Sequence, residues 1–175
     1  MLFLIFYLLL ILIIMLIASL IKITRRMLYK LKIDNLLEKV RYKEDLLYSD
    51  HRDLLYIAIE VFKRKGYQVQ MTDRCGEDYN GLILDGILFV EVWKDRLNHA
   101  VEIETAMKLA KCMRSNAIYR GMLITLGDFK QNTRLFCYSN VIKCINGDQF
   151  LSMCKEVQNR KQEWEPIDGI TASTK

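Results

Sequence analysis

The stretch Gly81–Lys94, GLILDGILFVEVWK, decides how this chain folds. Two apolar runs flank Asp85-Gly86, a dipeptide suited to a two-residue hairpin turn because both of its positions need positive φ. The runs therefore read as paired antiparallel strands. With Asp85 and Gly86 as the turn, Leu84 faces Ile87, Leu82 faces Phe89, Gly81 faces Val90 and Asn80 faces Glu91. Directly opposed residues share a face, with Cβ atoms about 4.5–5.5 Å apart. Alternation adds Trp93 to that face and sends Lys94 to the other. A glutamate inside an apolar strand is costly to bury unless something there requires it. Glu91 is thus the residue to explain.

Around the hairpin the pattern changes period. Asp50 is placed to cap a helix running to Lys65, with Leu54, Leu55, Ile57, Ala58, Val61 and Phe62 forming its buried stripe and Gly66 ending it. Tyr67–Thr72 alternates as a strand. Beyond the hairpin, Arg96–Ser115 reads as a helix and GMLITLG as a buried strand. FKQNTRLFCYSN then reads as a short helix, VIKCING as a strand and DQFLSMCKEV as a closing helix. The order αβββαβαβα, with helix and strand alternating late, predicts an α/β fold with crossover connections and a mixed sheet.

The first 21 residues, MLFLIFYLLLILIIMLIASLI, carry no charged side chain before Lys22. At ~1.5 Å per residue they make roughly 30 Å of helix, the depth of a bilayer core. A cleavable signal would have a basic start and an apolar run of only about 7–15 residues. Residues 1–21 therefore read as a transmembrane helix. Lys22–Lys43 holds eight Lys/Arg against Asp34 and Glu38. Such flanks stay cytoplasmic, so the expectation is a single-pass cell-membrane protein with its N-terminus outside and its soluble domain in the cytoplasm. This collar carries +6 where the whole chain carries +5, so the rest of the chain is close to neutral. Composition alone thus supplies no basic DNA-gripping face to the domain. Residues 22–48 read as a basic juxtamembrane linker helix, 49–158 as the folded domain and 159–175, with the sole proline Pro166, as a flexible tail. The five cysteines are odd in number and lack any CxxC or Cys/His cluster, which fits reduced thiols rather than a disulfide scaffold or a zinc site.

A carboxylate on one strand, facing an acid-x-Lys on the next, holds Mg²⁺ through hard oxygen ligands while the lysine positions a water. The element order and motifs here resemble the Mrr-type branch of the PD-(D/E)xK restriction-endonuclease fold, over about Asp50–Val157. The motifs are Gly66-Tyr67 after the first helix, the loop from Gly76 to Asn80-Gly81, Val90-Glu91, and Gly121–Thr125 followed by Phe129. Ile145–Asp148 before the last helix completes them. The resemblance implies a restriction-endonuclease-like mixed sheet, Mg²⁺ as cofactor in an active member, and DNA as a partner. It also implies an aspartate where Asn80 stands, Glu or Gln at Glu91, and lysine where Trp93 stands. Glu91 is kept; Asn80 and Trp93 are departures. A helix-start acid of the family has Asp53 as its nearest counterpart.

Rearrangement offers substitutes. Asp78 would join Glu91 as metal ligand if the loop kinks, and Lys94 would swing in at a bulge after Glu91. Glu102 or Lys108 would act as migrated groups. Two functions follow as expectations. One is a membrane-anchored, catalytically degenerate domain that binds or scaffolds, with nucleic acid, another protein or a second copy as partner. The other is an active Mg²⁺-dependent endonuclease whose rearranged site is built from Glu91, Asp78 and Lys94.

Overall fold

A computed structural model describes residues 2–72, 81–94 and 99–164, with side chains for 6–72, 81–94 and 99–160. No glycine or proline occurs before Gly66. Nothing therefore breaks the first helix, and α1 runs from Leu2 to Lys39 as 38 continuous residues. A short α2 (Lys43–Leu47) follows, its start held by Asp45, which accepts the backbone N–H groups of Arg41 and Tyr42 at 2.8 and 2.9 Å. Helix α3 (His51–Arg64) begins after Asp50. It ends at Gly66, whose φ of 94° lets Tyr67 N–H reach back to the Phe62 carbonyl at 3.1 Å.

The remaining elements are β1 (Val69–Thr72), β2 (Gly81–Leu84), β3 (Leu88–Trp93), β4 (Ala100–Val101), α4 (Ile103–Ser115), β5 (Arg120–Thr125), β6 (Asp128–Phe129), α5 (Gln131–Ser139), β7 (Ile142–Ile145) and α6 (Gly147–Trp164). From α3 onward this is the expected order, with the two-residue strands β4 and β6 added. The main sheet runs β1-β2-β3-β5-β7, antiparallel across the first two pairs and parallel across the last two. It is a mixed sheet of the restriction-endonuclease type. Strands β4 and β6 make a small parallel pair of their own. The closing helix, expected over 148–157, reaches Trp164, six residues into the expected tail; residues 165–175 of that tail lie outside the described residues.

Helices cover both faces of the sheet. On one, Leu82, Leu84, Val90, Val92, Met122 and Ile124 pack against α1, α3 and α6. On the other, Phe89 and Leu123 pack against α4 and α5. The core reaches back beyond the expected start at residue 49. Ile33, Leu37 and Val40 of the expected linker are buried, and Gln158 on α6 donates to the carbonyls of Leu37 and Val40 at the end of α1. Carbonyls at a helix end lack the usual backbone partners, and α6 supplies one here, beside the long 3.4 Å bond from Val40 N–H to the Leu37 carbonyl.

The hairpin corrects the expected register. Asp85 and Gly86 do have positive φ, 52° and 73°, and Ile87 N–H bonds the Leu84 carbonyl at 3.1 Å. The ladder, however, resumes one residue later: Leu84 faces Leu88, Ile83 faces Phe89 and Leu82 faces Val90. Ile87 is the extra residue, left 60% exposed. A neighbouring strand anchors this arrangement. Asp85 N–H bonds the Gln68 carbonyl at 2.9 Å and the Asp85 carboxylate accepts Gln68 N–H at 2.8 Å, holding the turn against the start of β1.

Candidate functional site

Glu91 lies on β3, the middle strand of the sheet, paired with Leu123 of β5 and only 4% exposed. Alternation puts Phe89 and Trp93 on its face, the side covered by α4 and α5. Trp93 is half-buried against that core and stands beside Thr125 of β5, which is fully buried. The corrected register changes what stands across from Glu91. Leu82 already faces Val90, so the position level with Glu91 on β2 belongs to Gly81, not to Asn80. Gly81 suits that place because a Cβ there would come within 2.5 Å of the Phe89 ring and 2.9 Å of the Thr72 methyl. Asn80 and Asp78 lie outside the described residues.

Lys94 does not approach Glu91. Strand β3 pairs with β5 without interruption from Leu88 to Trp93, so no bulge follows Glu91. Lys94 emerges on the α3 side, where its Nζ donates to the Ser49 carbonyl ahead of α3. The substitutes on α4 are placed elsewhere too. Glu102 precedes α4 and pairs with Lys130 at 2.5 Å, and Lys108 is exposed while Thr105, Ala106 and Leu109 turn inward.

Asp53, the nearest candidate for a helix-start acid, is buried against α1. It accepts Tyr29 Oη at 2.8 Å and Lys32 Nζ at 2.6 Å. Burial alone would push its carboxyl up. The bonds from Lys32 and Tyr29, with the charges of Lys32 and Arg52, outweigh that and hold it below the usual carboxylate range.

Mg²⁺ requires several hard oxygen ligands. At the centre of β3 the described residues supply one carboxylate, Glu91, with an indole beside it, and this set does not fit a magnesium ion.

A concave feature went unread in the sequence. A cleft of about 810 Å³ opens between α1 and α3, lined in part by Lys22, Arg25, Arg26 and Lys30 of α1 and Arg52 and Lys63 of α3. The signal for the α3 half was available: Arg52, Tyr56, Ile59 and Lys63 fall at helical spacing on one face.

No curated protein matches the chain. Among solved structures, the chain is similar to MspJI restriction endonuclease in complex with a 27-mer oligonucleotide, at 15% identity and a TM-score of 0.44. The likeness covers 80% of this chain and 32% of that one, so the chain spans about a third of that nuclease. The profile of the restriction endonuclease family Mrr_cat matches residues 46–154, more than half of the chain and the whole run from α3 to β7. The chain belongs to the Mrr-type restriction endonuclease family.

Proposed function

We propose that the chain is a membrane-anchored domain of the Mrr nuclease fold whose catalytic site is degenerate and whose role is to bind or scaffold. The observation that carries this reading is Trp93. The family's lysine position holds a half-buried indole packed into the α4–α5 core, and Lys94, the neighbouring lysine, is committed to Ser49 on the other face. An indole offers no charge to position a water. The anchor is supported by α1, which is long and apolar enough to cross a membrane and whose apolar half is exposed.

Plasmid nicking by the full chain in detergent, with and without Mg²⁺, tests the site. Wild type is expected to be silent. Trp93→Lys places a lysine beside Glu91, and Asn80→Asp adds the acid that the family resemblance expects just before β2; the double change is expected to give Mg²⁺-dependent nicking. Removing a large aromatic from a core costs about 3–5 kcal/mol, against a whole stability of about 5–15 kcal/mol, so the melting temperature is measured beside it. Wild-type nicking abolished by Glu91→Ala would instead establish the active enzyme with a rearranged site. The anchor is checked separately: the chain should sediment with membranes and resist high-salt extraction.

A further inference from the structure

We infer that the cleft between α1 and α3 binds the phosphate of an anionic lipid headgroup, so that the folded domain, and not the collar alone, grips the membrane surface. The inference rests on the membrane-anchor reading above. Six cations converge on the cleft: Lys22, Arg25, Arg26 and Lys30 from α1, Arg52 and Lys63 from α3. All six are exposed, and among the described residues none of them forms an ion pair. The acid in the lining, Glu60, is already committed to Arg64 at 3.0 Å. The cleft therefore presents a concave, uncompensated positive field.

The walls are held in place. Tyr29 and Tyr56 meet edge to face at 5.0 Å, and the Arg52 guanidinium lies over both rings at 5.6 and 5.9 Å. Arg52 is thereby pre-set toward α1, and its planar fork suits phosphate oxygens.

Position favours lipid over nucleic acid. The uncharged run ends at Ile21, and Lys22 to Arg26 covers about 6 Å of helix. The headgroup layer on each side of a bilayer is about 5–8 Å deep. With residues 1–21 in the hydrocarbon, Lys22, Arg25 and Arg26 sit among headgroups, where a duplex is excluded and lipid phosphates are abundant. Tyr29 lies about 12 Å of helix beyond Ile21, so Arg52, held over its ring, faces that layer from just outside it, on the domain side.

The test uses the full chain reconstituted in equal parts phosphatidylglycerol and phosphatidylcholine, extracted in detergent, with the retained lipid analysed by headgroup. Wild type is expected to retain phosphatidylglycerol in excess. Arg52→Ala with Lys63→Ala should lower that excess by roughly thirtyfold, given the attraction of each of the two basic residues to an anionic surface. The charge-keeping pair Arg52→Lys with Lys63→Arg should retain it, which separates lost charge from lost folding. An equal lipid ratio in wild type, or no change in the alanine pair, would overturn the inference. So would a thermal stabilisation by inorganic phosphate matching that by the anionic lipid, or displacement of the lipid by a short DNA duplex. Flotation with pure phosphatidylcholine vesicles separates the two readings. Failure to float removes the anchor and this inference with it, whereas flotation without an anionic excess removes only this inference.

Discussion

Trp93 and Lys94 show how one position along a strand settles a side chain's work. Successive residues point to opposite faces, so Lys94 serves the α3 side and Trp93 leaves an indole beside Glu91. Glu91 stood out in the sequence because a charge in an apolar run is conspicuous. What faces it did not, because both faces of β2 and β3 are largely buried. A hydrophobic pattern selects a register only where one face is wet. The turn dipeptide was readable and the extra Ile87 was not, and that residue moved Gly81 into the place expected for Asn80. The cysteines give a sharper test of local chemistry. The Cys137 thiol donates to Cys144, which raises Cys137 and lowers Cys144; burial raises Cys137 further, and Arg134 aids the thiolate at Cys144. Burial pushes Cys154 up to about 12. The thiolate is the nucleophile. In the folded chain, iodoacetamide near neutral pH should therefore modify Cys144 well ahead of Cys137 and Cys154, with a rate that rises at lower pH than for an ordinary thiol. Cys137→Ala should slow it. Peptide mass spectrometry that finds Cys154 modified as fast as Cys144 would refute this arrangement.

At the scale of elements, the alternation of helix and strand from α3 to α6 was legible, because each amphipathic stripe points to one buried side. Strands β4 and β6 were not, being only two residues each. The joint between α1 and α3 was hidden by composition. Ile33, Leu37 and Val40 have helical spacing, yet they sit among lysines and arginines and read as a linker. Three polar ties fix that joint: Asp53 to Tyr29, Asp53 to Lys32, and Arg64 to Asp34 at 2.8 Å. Because the folded carboxyl of Asp53 is depressed, its contribution is present above the unfolded value of about 3.9 and is lost as pH falls through the lower folded value. Asp53→Asn should thus lower stability by about 1–3 kcal/mol at neutral pH. The gap from wild type should close in acid, as the pH falls through the depressed folded value. Melting curves across pH check both size and sign, and a gap that widened in acid would exclude the assignment.

For the whole molecule, the folded body and the apolar span share one helix. Cutting the chain at residue 44 would remove Ile33, Leu37 and Val40 from the core and leave Gln158 without its acceptors. Each such buried side chain is worth about 2–5 kcal/mol when truncated, so their joint loss approaches the stability of a domain, about 5–15 kcal/mol. A chain starting at residue 22 should melt cooperatively, whereas one starting at residue 44 should show no cooperative transition by circular dichroism. A sharp melt of the shorter chain would mean that α1 is an accessory. The same continuity has a mechanical side. From Lys22 to Lys39 the helix is a stiff arm of roughly 27 Å with no glycine or proline to act as a hinge. With the span in a bilayer, a change in membrane thickness that tilts it by about 20° would swing the far end of the arm by roughly 9 Å. The domain would then act as a pointer, turning its sheet toward or away from the surface as the lipid around it thins or thickens.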